Sequence, residues 1–142
     1  MRRARALALL SLLVVTPAGY ASKFCTGAGP SWLKDHGAGL FYVVFWALAA
    51  FFIWPSKRMV KRIVIWVFSI TCTLEFLQLW RPPFLESIRA TSPGAALIGT
   101  TFDWLDFPPY VLGALLGWGW LTLIVRRDAS GSDRSPRPPY DR

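Results

Sequence analysis

The sequence predicts an all-α membrane protein with four transmembrane helices, and three observations lead there. The chain is 54% apolar and 15% aromatic, with 8 Trp in 142 residues, which long apolar runs explain better than a soluble core of this size does. Four apolar runs, about residues 5–22, 37–54, 60–80 and 107–125, each approach the length of a bilayer crossing. The basic residues lie at the ends of those runs. Arg2, Arg3 and Arg5 form one group, Lys57, Arg58, Lys61 and Arg62 a second, and Arg126 and Arg127 with the tail a third. A net charge of +8 gathered on one face would suit a nucleic-acid binder, but spacing of this kind encodes membrane orientation instead. No nucleic-acid partner is expected.

The first run follows three arginines and ends in Gly19-Tyr20-Ala21, which also fits a cleavable signal peptide. The alternative is a retained helix bent near Pro17. A loop rich in Gly, Ser and Pro leads to Lys34-Asp35-His36, where the second helix opens, and Pro55-Ser56-Lys57-Arg58 closes it. The third run ends at Arg81-Pro82-Pro83, since neither proline can continue a helical ladder. Phe84, Leu85 and Ile88 then suggest one short interfacial helix before a Ser92-Pro93-Gly94 turn. Pro108 and Pro109 are tolerable only in the first turn of the last helix, which makes Asp106 its expected N-cap. Residues 1–125 thus form the membrane domain, and 126–142 read as a disordered basic tail.

With both termini cytoplasmic, 12 basic residues fall inside and only Lys23, Lys34, Arg81 and Arg89 outside, a strong positive-inside bias. Cys25 falls in a loop and Cys72 within a span, so two free thiols are expected.

The unusual polar groups collect at the outer ends of the helices. Glu75 lies five residues before Trp80, roughly 7 Å deeper along a helix axis, where a carboxylate is costly unless it faces protein or water. Gln78, three residues on, shares its face. Asp35 and His36 open the second helix, and Asp103 and Asp106 open the fourth. Arg81 and Arg89 are the available cations, and one of them is expected to close over Glu75, Gln78 and Asp103. Gly113 and Gly117 form a GxxxG step that permits close helix packing. A single histidine without metal-ligand spacing argues against a metal site, and no motif calls for a cofactor.

The stretches Ala18 to Phe24, Asp35-His36-Gly37, Glu75-Phe76-Leu77-Gln78-Leu79, Phe102-Asp103-Trp104-Leu105, and Tyr110 through Gly113 to Gly117 resemble a small bacterial family. Its members are integral membrane proteins known only as a domain of unknown function, similar at a distance to VanZ-like proteins. The resemblance covers roughly residues 5–125. It implies a four-helix inner-membrane protein with a retained first helix and an association with the cell envelope. This chain departs from the family in Asp35-His36-Gly37-Ala38, where Gly-Asp is usual, and in Pro108-Pro109.

The expected function is an envelope-associated protein whose outward polar pocket binds a lipid headgroup or a cell-wall precursor. Two rivals follow from the same residues. One is a membrane-embedded enzyme that uses Glu75 and Asp103 on a lipid-linked substrate. The other is an assembly partner whose polar cluster only holds helices together.

Overall fold

A computed structural model describes residues 1–24 and 31–132, with side chains for 1–22, 37–95 and 97–130. Among these residues the regular structure is all helical, without strands. The helices are α1 (Arg2–Phe24), α2 (Ser31–Ile53), α3 (Val60–Leu77), α4 (Pro83–Arg89), α5 (Ser92–Ile98) and α6 (Phe107–Ser132). Short 3-10 turns, Lys57–Met59 and Trp104–Asp106, lead into α3 and α6. The segments Arg2–Ser22 and Trp104–Ser130 are long and apolar enough to cross a membrane, and Gly37–Ile53 is a shorter apolar helix.

Helix α2 is the central element and packs against α1, α3 and α6. Its buried Val43, Val44, Ala47, Leu48 and Phe51 meet Ala4, Ala8 and Val15 of α1, Val60 to Val67 of α3, and Leu121 and Ile124 of α6 in one core. Small residues set the spacing. A Cβ added at Gly113 would lie 2.6 Å from the Leu40 carbonyl oxygen, and one at Gly117 3.4 Å from the Ala47 Cβ. Gly113→Leu is therefore expected to lower stability by roughly 1–3 kcal/mol or more through overpacking. Gly119→Ala, where an added Cβ meets nothing within 4 Å, should be neutral or slightly stabilising. Thermal unfolding in detergent checks both.

Polar contacts staple one end of the bundle. The Ala4 amide in the first turn of α1 donates to Asp128 Oδ1 of α6 at 3.2 Å, where a carboxylate suits a helix N-terminus. Arg5 donates to the Ile53 carbonyl at the end of α2 (3.3 Å), and Trp120 Nε1 donates to Ser11 Oγ (3.0 Å).

Several boundaries differ from those the sequence suggested. Helix α2 starts at Ser31 rather than 37, since neither glycine nor proline interrupts Ser31 to His36. Helix α3 ends at Leu77 rather than 80, because Gln78, Leu79 and Trp80 donate to the carbonyls three residues back and tighten the chain. The connection to α6 carries two short helices, not one. Pro83 opens α4, and the expected Ser92-Pro93-Gly94 turn is the first turn of α5, capped by Thr91 Oγ1 accepting from the Gly94 amide. Asp106, the expected N-cap, directly precedes α6 and ends a 3-10 turn that runs into it. Helical chain begins earlier, after Asp103, which is extended and accepts the Leu105 amide at 2.9 Å. The tail is not disordered from 126, since α6 continues through Arg126, Arg127, Asp128 and Ala129 to Ser132. Residues 133–142 and Cys25 lie outside the described residues.

Candidate functional site

Glu75 sits in the last turn of α3, where the helix dipole opposes a carboxylate, and it is only 2% exposed. Three donors from three parts of the chain compensate. Gln78 Nε2 donates to Oε2 at 3.0 Å, from one turn along the same face. Tyr110 Oη on α6 donates to the same oxygen at 2.8 Å, and the Asp103 backbone amide donates to Oε1 at 3.1 Å. Glu75 thus ties α3 to α6 and to the segment between them.

The tyrosine reaches the carboxylate because Gly39 leaves room on α2. A Cβ there would lie 2.7 Å from Tyr110 Cε1. Gly99, at the end of α5, has φ +79°, a conformation that favours glycine, and an added Cβ would collide with the Gln78 amide. The chain past α5 therefore presses on Gln78. Beside this cluster, Phe76, Phe102, Trp104, Phe107 and Tyr110 form a continuous set of ring contacts, with Trp104 and Phe107 stacked at 5.7 Å.

Glu75, Gln78 and Tyr110 line a cavity of about 170 Å³. Tyr42, Thr71, Leu97, Ile98 and Gly99 complete much of its wall, and Tyr42 Oη donates to the Leu97 carbonyl at 3.1 Å. Gln78 is 6% exposed, and its Oε1 has no hydrogen-bond partner among the described residues. A buried acceptor of that kind costs roughly 1–3 kcal/mol when unmet. An unpaired, buried acceptor thus lies on a residue of the cavity wall, beside a carboxylate.

The other candidate residues have different surroundings. The Asp103 carboxylate is engaged with the Leu105 amide, so only its backbone reaches Glu75. Asp106 closes the 3-10 turn, its amide donating to the Asp103 carbonyl at 3.2 Å. Neither arginine closes over Glu75. Arg81 is exposed and reaches the Thr100 carbonyl at 3.5 Å. Arg89, 5% exposed, donates to the carbonyls of Leu77 (2.9 Å) and Trp80 (3.2 Å) and to Glu86 Oε1 (2.7 Å). Its guanidinium bridges the Leu77 carbonyl, which also accepts the Trp80 amide, and the Trp80 carbonyl in the turn after α3, as a rigid fork of donors can. The side chains of Asp35 and His36 lie outside the described residues.

Tyr110 and Tyr42 are the polar groups of this site that the sequence reading did not single out for it. A tyrosine near a helix end reads as an interfacial aromatic, and only the approach over Gly39 distinguishes Tyr110. No group of three or more His, Cys, Asp or Glu that could hold a metal occurs among the described residues, and Cys72 is a free thiol.

No solved structure matches this chain. A family model does match, over residues 28–114, a stretch that contains Glu75, Gln78, Asp103, Tyr110 and Gly113 and all the residues that line the cavity. The chain belongs to that family, described as a protein of unknown function (DUF2809).

Proposed function

We propose that this protein is a small four-span protein of the bacterial inner membrane, with both termini cytoplasmic, whose cavity opens outward and binds the head of a membrane lipid or a lipid-linked cell-wall precursor. The spans are α1, α2, α3 and α6. Three features support that topology. Large apolar side chains are more than half exposed on the outside of the bundle, among them Leu13 and Val14 on α1, Ile65 and Trp66 on α3, and Leu115, Leu116 and Leu123 on α6. The basic residues favour one side by 12 to 4. Ala4, Ala8 and Val15 belong to the same core as α2 and α6, which suits a retained first helix. In this orientation α4 and α5 lie at the outer boundary.

The observation that carries the binding reading is the unmatched Gln78 Oε1, buried beside Glu75 on the wall of a cavity. A structure that buries an open acceptor there is completed by a ligand that donates hydrogen bonds. The enzymatic rival has less support, because Asp103 meets Glu75 through its backbone amide and not through its carboxylate. The structural rival is favoured by one observation, the three donors by which Glu75 joins α3 to α6.

Lipid analysis of the full chain purified in mild detergent separates these readings. We expect about one amphiphile per chain to be retained, and Gln78→Met to lose it at least tenfold while its melting temperature stays within a few degrees of the parent. A parent chain that carries no lipid, or a Gln78→Met chain that keeps it, leaves Glu75 as a helix tie and overturns the binding reading.

A further inference from the structure

We infer that the ligand is a lipid with a primary ammonium head, its ammonium held by Glu75 and Gln78 and one hydrocarbon chain lying in a groove between α2 and α3; this rests on the lipid-binding reading above. The groove is a second cavity of about 320 Å³. It shares Tyr42, Thr71, Leu74, Leu97 and Ile98 with the polar cavity, so the two adjoin. From there it follows α3 past Ile70 to Val67, with Trp46 of α2 on the other side. Leu74 to Val67 spans roughly 10 Å of helix. An occupant must therefore be polar at one end and apolar along the other, which is the shape of a lipid and not of a soluble metabolite.

The head chemistry follows from a count of acceptors. A carboxylate offers about four lone-pair positions, and Glu75 uses three of them, two on Oε2 and one on Oε1. One position on Oε1 stays open. Gln78 Oε1 offers about two more, and none is taken among the described residues. An –NH₃⁺ group has three donors and no acceptor, so it can donate to Glu75 Oε1 and to Gln78 Oε1 together. No ion pair joins Glu75 to a lysine or arginine among the described residues. A cationic head supplies the missing charge, whereas an anionic head would set like charge against the carboxylate. A quaternary ammonium would bring the charge without the N–H donors that Gln78 needs. The groove's wall is formed on one side by α5, and Leu97 there is about half exposed, so its side chain can be enlarged without disturbing the core.

The test is a binding titration of the full chain in detergent with short-chain phosphatidylethanolamine, phosphatidylcholine and phosphatidylglycerol, and with glycerophosphoethanolamine, which has the head but no chains. We expect phosphatidylethanolamine to bind with a Kd at least tenfold lower than any of the other three. Leu97→Trp, which narrows the groove, should raise that Kd at least tenfold without shifting the melting temperature of the lipid-free protein. Equal binding of phosphatidylcholine or phosphatidylglycerol overturns the ammonium assignment and leaves the lipid-binding reading standing. Equal binding of glycerophosphoethanolamine, or an unchanged Kd in Leu97→Trp, overturns the groove as the seat of the chain. Failure of all four probes to bind overturns both this inference and the lipid-binding reading.

Discussion

Glu75→Leu is expected to destabilise the bundle by roughly 3–5 kcal/mol, the largest effect of any single change considered in this protein. Leucine removes the acceptor for the Gln78 amide, the Tyr110 hydroxyl and the Asp103 backbone amide together. Each stranded donor costs on the order of 1–3 kcal/mol when water cannot reach it, and partial relaxation keeps the total below the simple sum. Glu75→Gln keeps the shape and one carbonyl acceptor, so a loss of only about 1–2 kcal/mol is expected. Tyr110→Phe should cost less again, because it removes one donor and leaves the carboxylate two others. Denaturant titration in detergent, read by circular dichroism, orders the three. A Glu75→Leu chain as stable as its parent would mean that these donors are not held by the carboxylate.

Arg89→Met is the second large effect, expected to lower stability by roughly 2–4 kcal/mol. The guanidinium is buried, bridges the Leu77 and Trp80 carbonyls across the turn that ends α3 and pairs with Glu86, so its loss loosens that turn and detaches α4 from it. Arg89→Lys should recover little, since a single ammonium on a flexible stem does not reproduce the fork. Arg81→Met provides the contrast. Its residue is exposed with one contact at 3.5 Å, and a change within about 0.5 kcal/mol is expected. Equal effects at the two positions would contradict the role given to Arg89.

What the sequence revealed about this site was its local part. Glu75 stands out as a carboxylate in an apolar run, and the spacing of three residues to Gln78 fixes their shared face whatever the rest of the fold does. Long-range partners are not encoded in spacing. Arg89 caps a helix that ended 12 residues earlier, and nothing near it in sequence signals that carbonyls wait there. Asp103 and Asp106 are equally good cap types, and spacing does not show that the extended backbone at Asp103 opens a 3-10 turn ahead of the last helix. The proline pair at 108 and 109 was legible for a plain reason. Both fall in the first turn of α6, where their missing N–H groups break no helical bond. The disordered reading failed for residues 126–132 because charge alone does not end a helix. Arg126, Arg127 and Ala129 are good helix formers, and Asp128 is held by the first turn of α1.

That last contact has a consequence for how the molecule is made. The Ala4 amide and Asp128 are 124 positions apart, so the first turn of the chain stays open until almost all of it has left the ribosome. Helices α1 and α2 can pair early, but the donors from Asp103 and Tyr110 reach Glu75 only after the later segments arrive. During synthesis, α3 therefore carries a carboxylate short of two of its three partners. The arrival of α6 completes the cage around Glu75 and fastens the start of α1 in the same event.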